Sequence, residues 1–200
     1  MENTCLNDYE FFDRFVKKFK EKFNIGRKLE IKNNKLKIYN NIITALDVGC
    51  ARGELVKAFN DNGIKCKGID KDANYKYCFK VDLDKDKFPF ENNTFDLITC
   101  FGTIEYLKDD SLCINEIKRC LKPNGLFVLY SVFKETDRIK DAKARVNIHD
   151  RKYWINRFIN NDFDYLKKLF YIGYYPWYKK IARVFVKSNY GGLIFKKNEA

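Results

Sequence analysis

The feature that most restricts the fold is an alternation in which short apolar runs ending in Asp or Gly are followed by stretches whose apolar residues fall three and four apart. NIITALDVG is such a run, and ELVKAFNDNG behind it sets Leu55, Val56 and Phe59 on one helical face, with Gly63 placed to stop the helix. CKGID reads as a second strand ending in Asp70, FKVDL as a short third, and FDLITCF as a fourth after the polar turn ENN. Asp109, Asp110 and Ser111 can cap the helix SLCINEIKRCL, which Pro123, Asn124 and Gly125 terminate before a fifth strand, LFVLYSVF. Strands that alternate with helices predict a mostly parallel sheet covered on both faces, a doubly wound α/β domain.

Both ends depart from this rhythm. EFFDRFVKKFKEKF spaces Phe11, Phe12, Phe15, Phe19 and Phe23 for a helix with one apolar stripe and a Lys-rich opposite face. Residues 134–152 are polar and read as a long loop, and DRKYWINRFI as a short helix with Trp154 and Phe158 four apart. The segments around 163–172 and 181–187 are β-rich and read as an antiparallel C-terminal hairpin. At 200 residues the chain fits one domain. Its expected parts are a helical cap over 1–40, a core over 41–133, and a loop with the hairpin over 134–200.

The net charge of +12 is unevenly spread. Residues 1–13 carry four acids and no base, 14–40 ten bases and two acids, 41–150 eighteen of each, and 151–200 eleven bases and three acids. A local basic excess is what an anionic partner would meet, although a Lys- and Asn-rich composition produces the same count. The most apolar stretch, Leu126 to Phe133, is eight residues, short of the roughly 20 needed for a membrane span. No basic start followed by an apolar segment opens the chain, so the expected compartment is the cytoplasm. Seven cysteines without a C-x-x-C pair fit neither a disulfide framework nor a zinc site. No metal is expected.

The turn Asp47-Val48-Gly49-Cys50-Ala51-Arg52-Gly53 lies where a strand hands over to a helix, and its small residues let a ligand approach the backbone. Asp70 follows at the end of the next strand, where a carboxylate can bind ribose hydroxyls. A dinucleotide site would carry G-x-G-x-x-G, but the third glycine position is Glu54, whose charge opposes a pyrophosphate at the helix start. A nucleoside-type ligand without phosphate fits better.

LDVGCARG, GID, VDLDKDKFPFENNTFDLITC and EIKRCLKPNGLFVLY, in that order over about residues 44–132, resemble the successive motifs of class I, Rossmann-like S-adenosylmethionine-dependent methyltransferases. The resemblance implies S-adenosyl-L-methionine as cofactor. It also implies that Asp47, Gly49, Cys50, Ala51 and Gly53 line the methionine and ribose side, Asp70 with the neighbouring Lys71 meets the ribose, Asp82 and the Leu83 backbone meet the adenine, and Phe101 lies near the cofactor. Ala51 stands for a more usual glycine, the helix between Asp70 and Asp82 is shortened to a turn, and Glu105-Tyr106-Leu107 lacks the His of the family's pattern.

Methyl transfer is a direct displacement, so the protein mainly positions donor and acceptor, and a base is needed only where the acceptor must lose a proton. His149, in VNIHDRKYWINRF, has a suitable pKa range, and the opposing reading is a surface or capping residue. Cys100 reads as a buried strand residue, since the Pro-Cys setting of cytosine-carbon methyltransferases is absent. No Asn/Asp-Pro-Pro-Tyr tetrad follows the fourth strand, against adenine amino methylation. Tyr174, Tyr175, Trp177 and Tyr178 either stack a base or sugar or pack an edge strand. The expected activity is methyl transfer to a small-molecule or sugar-type acceptor, with an anionic one favoured by the basic ends. The alternative is an RNA methyltransferase or RNA-binding protein that uses those ends; oligomeric state is not legible.

Overall fold

Strand residues with apolar side chains on both faces need two covering layers, and the fold supplies them. The structure is a computed structural model that describes residues 3–23, 31–32, 35–36, 42–134, 144–169 and 190–199. A minimal antiparallel pair, β1 (Ile31–Lys32) and β2 (Lys35–Leu36), stands apart from the main sheet. That sheet holds β3 (Thr44–Val48), β4 (Lys65–Asp70), β5 (Cys78–Lys80), β6 (Phe95–Phe101) and β7 (Leu121–Val132), all parallel. Two further strands, β8 (Phe163–Leu169) and β9 (Tyr190–Lys197), run antiparallel. The order across the sheet is β5-β4-β3-β6-β7-β9-β8.

Alternation along each strand sorts the core into two layers. Leu46, Val48, Ile98, Cys100, Phe127, Leu129, Leu193 and Phe195 share one cluster with residues of α3 (Ser111–Cys120) and α4 (Arg151–Ile159), including Trp154 and Phe158. Ala45, Leu97, Leu126, Val128 and Ile194 join the other, beneath α1 (Asn3–Phe23) and α2 (Glu54–Asp61). The Phe stripe of α1 faces this layer: Phe15, Val16 and Phe19 are buried with Leu55, Val56 and Phe59 of α2. Burial stabilises each such side chain by about 2 kcal/mol, enough to hold a helix whose other face is Lys-rich. The loop before β6 is tied to α3 by Glu116, which accepts the Phe88 N–H at 2.7 Å and pairs with Arg119 at 2.6 Å. Arg119 in turn donates to the carbonyls of Phe88 and Phe90.

The doubly wound sheet with an antiparallel C-terminal pair is as expected, and several boundaries differ. The third strand is only Cys78–Lys80. α3 ends at Cys120 with Leu121 already extended, so Pro123, Asn124 and Gly125 do not end it but fall inside β7, whose pairing with β6 skips from Leu121 to Leu126 around the turn at Asn124, which has φ +62°. Asp109 accepts the Ser111 N–H at 2.9 Å, whereas the Asp110 carboxylate points to Arg157 and Asn147 and leaves α3 without a side-chain cap. The segment 163–172 is strand as far as Leu169, while 181–187 lies outside the described residues, as do Tyr174, Tyr175, Trp177 and Tyr178. The partner of β8 is instead β9, where Gly191 and Gly192 pair with Ser131 and Tyr130. Two adjacent glycines depress strand propensity, so a sequence reading passes over this segment.

Candidate functional site

The chain leaves β3 for β4 and β5 on one side, then crosses to β6 on the other, so the carboxyl ends of β3 and β6 diverge and leave a crevice between them. The turn after β3 forms its floor. Gly49 has φ +77°, and a Cβ there would fall 2.0 Å from Thr103 Oγ1, so only glycine lets the turn and the segment after β6 approach so closely. The N–H groups of Gly49 and Cys50 both donate to the Ile69 carbonyl, at 2.8 and 3.0 Å. The Ala51 N–H donates to Asp70 Oδ2 at 3.1 Å. Three bonds thus bind the turn to the end of β4.

Above it lies a cavity of about 350 Å³. Seven residues expected from the sequence line it: Gly49, Ala51, Asp70, Lys71, Asp82, Leu83 and Phe101. Val81, Asp84, Gly102, Thr103, Tyr106 and Leu107 line it as well. The loop carrying Asp82 and Asp84 is anchored across the crevice, since Asp84 Oδ1 accepts the Lys108 N–H at 2.9 Å. Tyr106 and Leu107 sit at the position of the departed motif Glu105-Tyr106-Leu107, the one sequence signal that pointed to this wall. Val81, Leu83 and Leu107 are buried apolar residues and make an apolar shelf beside the Asp70 carboxylate.

Three expected residues stand behind the cavity and do not line it. Asp47 is buried and accepts the Thr99 hydroxyl at 2.7 Å; burial pushes its carboxyl up to about 7. Gly53, with φ +82°, opens α2 and lies against Tyr75, where a Cβ would be 2.7 Å away. Cys50 is buried and turned toward Gly68 and Cys78. His149 does not line the cavity either. Its ring stacks on Tyr153 with centroids 3.6 Å apart, and its carbonyl accepts the Lys134 N–H. Cys100 is fully buried in β6, and burial raises its thiol well above the ordinary range.

Behind the wall at Tyr106, Glu105 is fully buried; its Oε2 accepts the Ser131 hydroxyl at 2.8 Å, and burial raises its carboxyl. Its carbonyl accepts the N–H groups of Val146 and Asn147, which docks the segment leading to His149. At the α1 end, the Phe15 and Phe12 rings lie 5.1 and 6.4 Å from that of Phe101, which also packs on Tyr130. Among the described residues no group of three or more His, Cys, Asp or Glu could hold a metal ion, and no helix is long and apolar enough to cross a membrane.

Comparison with known proteins bears on what this crevice holds. Residues 46–129 match the family described as "Methyltransferase domain". The sterol 4-C-methyltransferase of Caenorhabditis elegans is 30% identical over 145 residues, covering 65% of this chain and 41% of that protein. A mitochondrial arginine-hydroxylase of Rattus norvegicus is 30% identical over 93 residues, 42% of this chain and 27% of that protein. The chain therefore spans less than half the length of either relative. The crystal structure of an S-adenosylmethionine-dependent methyltransferase from Mesorhizobium loti superposes with a TM-score of 0.62 at 17% identity, over 77% of this chain and 90% of that one. The match falls on the segment that builds the turn, the Asp70 wall and β6 with its following turn. Residues 46–129 thus resemble a methyltransferase domain, and the fold is shared with a solved S-adenosylmethionine-dependent methyltransferase.

Proposed function

We propose that this chain binds S-adenosyl-L-methionine in the cavity at the carboxyl ends of β3, β4 and β6 and transfers its methyl group to a small-molecule acceptor. One observation carries the reading: a carboxylate with free acceptor capacity stands beside an apolar shelf and a turn that presents only Gly49 and Ala51 to the cavity. Asp70 already accepts from Ala51 and Asp72, at 3.1 and 3.0 Å, yet a carboxylate offers about four lone-pair sites, so two remain for vicinal ribose hydroxyls. Val81, Leu83 and Leu107 suit a flat aromatic base, and Gly49 gives the rest of the ligand access to the backbone. When bound, the cofactor supplies an electrophilic methyl group on a sulfonium.

This chain's own part is to bind and orient. Asp70 fixes the ribose, the shelf excludes water from the base, and Phe101 and Tyr106, which line the cavity, offer ring faces to the positive charge. Asp82, which already accepts the Asp84 N–H and pairs with Lys85 at 2.9 Å, bounds the adenine end. Among the described residues the ionisable side chains that line the cavity are Asp70, Lys71, Asp82, Asp84 and the phenol of Tyr106, so a proton leaving the acceptor has few described groups to go to. An acceptor that needs no strong base fits this site.

Titration calorimetry with S-adenosylhomocysteine tests the reading. The expected dissociation constant is about 10 μM or tighter, and Asp70→Ala weakens it at least about tenfold through the lost hydroxyl contacts. Absence of heat and of thermal stabilisation with the unaltered chain would overturn the proposal. Salt-dependent RNA binding that survives Asp70→Ala would favour the RNA-binding alternative.

A further inference from the structure

Cys50 belongs to the turn that carries Gly49 and Ala51, yet its side chain is not used in the cavity. Its sulfur lies on the far side, over β4. There Gly68 leaves a gap: a Cβ built on it would fall 2.7 Å from Cys50 Sγ and 2.8 Å from Cys78 Sγ. Cys78 reaches the same gap from β5, where it is the register partner of Gly68. Both sulfurs therefore border the space of one missing methyl group, and each thiol shifts the other's titration. Cys50 is buried and Cys78 half-buried.

We propose that Cys50 and Cys78 form an oxidisable dithiol whose closure to a disulfide, by hydrogen peroxide or a similar two-electron peroxide oxidant, deforms the cofactor turn. The first step begins at Cys78, the more accessible thiol. Its sulfur attacks one peroxide oxygen; an S–O bond forms, the O–O bond breaks, and the other oxygen leaves as water with the thiol proton. The Cys50 sulfur then attacks the Cys78 sulfur; the S–S bond forms, the S–O bond breaks, and the second oxygen leaves as water with the Cys50 proton. In sum the thiols lose two hydrogens and two electrons, and one peroxide becomes two waters.

The other described cysteines are poorer candidates. Cys66, Cys100 and Cys113 are buried with thiols raised by burial, and Cys120 is buried with its thiol pushed up to about 11. Cys78 differs in direction: the neighbouring Cys50 thiol holds its own thiol below the ordinary value, which favours the nucleophilic thiolate. Closure must bring the sulfurs to about 2.05 Å. Since Cys50 lies between Gly49 and Ala51, both of which line the cavity, that movement draws the turn toward β5 and away from the ligand side. The effect on binding rests on the cofactor reading above; the chemistry of the thiols does not.

The test treats the full chain with hydrogen peroxide, maps its peptides by mass spectrometry, and follows the backbone amides of Gly49 to Gly53 by NMR before and after dithiothreitol. The expected result is a Cys50–Cys78 cross-linked peptide, two hydrogens lighter and absent in Cys50→Ser and Cys78→Ser, with reversible shifts of those amides. S-adenosylhomocysteine should then bind about tenfold more weakly to the oxidised chain. Failure to form that peptide in a folded chain, or a cross-link that moves neither the amides nor the affinity, would overturn the proposal. If the reduced chain binds no S-adenosylhomocysteine, the methyltransferase reading fails, and the cross-link and the amides still decide the dithiol alone.

Discussion

Asp47 shows how one residue of the turn after β3 can serve the fold. Its carboxyl is buried, takes the Thr99 hydroxyl, and holds its proton up to about pH 7, whereas the unfolded chain releases it near 3.8. The folded state therefore binds more protons between those values. The stability contributed by the protonated carboxyl is complete below pH 3.8 and is lost as pH rises through about 7. At about 1.4 kcal/mol per pKa unit, Asp47→Asn, whose Oδ1 still accepts from Thr99, should be more stable than the unaltered chain at pH 8 by roughly 1–3 kcal/mol. Urea unfolding at pH 5 and pH 8 checks this; equal stability of the two chains at pH 8 would refute the protonated state. The acidic residue and its place in the motif were plain in the sequence, but its position behind the cavity was not. Position in a turn does not say which side a carboxylate faces, and only the pairing of β3 with β6 brings Thr99 to it.

At the level of elements, α4 is held to the start of α3 by a polar clamp. Asp110 is nearly fully buried and accepts from Arg157 Nε and Nη2, at 3.0 and 2.6 Å, and from Asn147 Nδ2 at 3.1 Å. Arg157 also donates to the Ser111 hydroxyl. Asp110→Ala leaves the guanidinium and the amide without their acceptor, and the expected loss is about 2–3 kcal/mol in denaturant unfolding. Arg157→Lys should lose less, since an ammonium keeps the charge but not the two-pronged geometry. A loss below about 0.5 kcal/mol for Asp110→Ala would mean the clamp is dispensable. Helix and strand periodicity located α2, α3, α4, β4 and β6 within a residue or two, because apolar spacing directly records which face is covered. Asp110 was read as a cap, a local role, when its partners lie 37 and 47 residues away. Thr103 in the cavity wall was missed for the same reason, and Tyr106 and Leu107 were marked only by the motif from which they depart: a turn becomes a wall only once β6 stands beside β3.

For the whole molecule, the neutral centre and basic ends of the sequence divide the chain into a part that builds the cavity and parts that frame it. The cavity residues all come from the neutral span 41–150. Of the first basic run the structure describes the side chains of Arg14, Lys17, Lys18 and Lys20, and three of these have local work: Arg14 donates to the Glu10 carbonyl, Lys17 pairs with Asp13, and Lys20 donates to the Asn62 carbonyl. The positive charge of α1 is thus partly spent on the helix and its contact with α2.

The placement of β9 has a consequence for how the molecule is made. Among the described strands it follows β8 in sequence, yet in the sheet it lies between β7 and β8. While the chain is being synthesised, β7 and β8 cannot complete their pairing until Tyr190–Lys197 has emerged, and until then two rows of backbone groups wait unpaired. A chain ended before Tyr190 should retain little native stability and aggregate, while a separate peptide spanning β9, supplied during refolding, should restore soluble protein; size-exclusion chromatography reads both outcomes. Assembly of this sheet therefore includes an insertion, with β9 entering a slot between two strands that precede it in sequence.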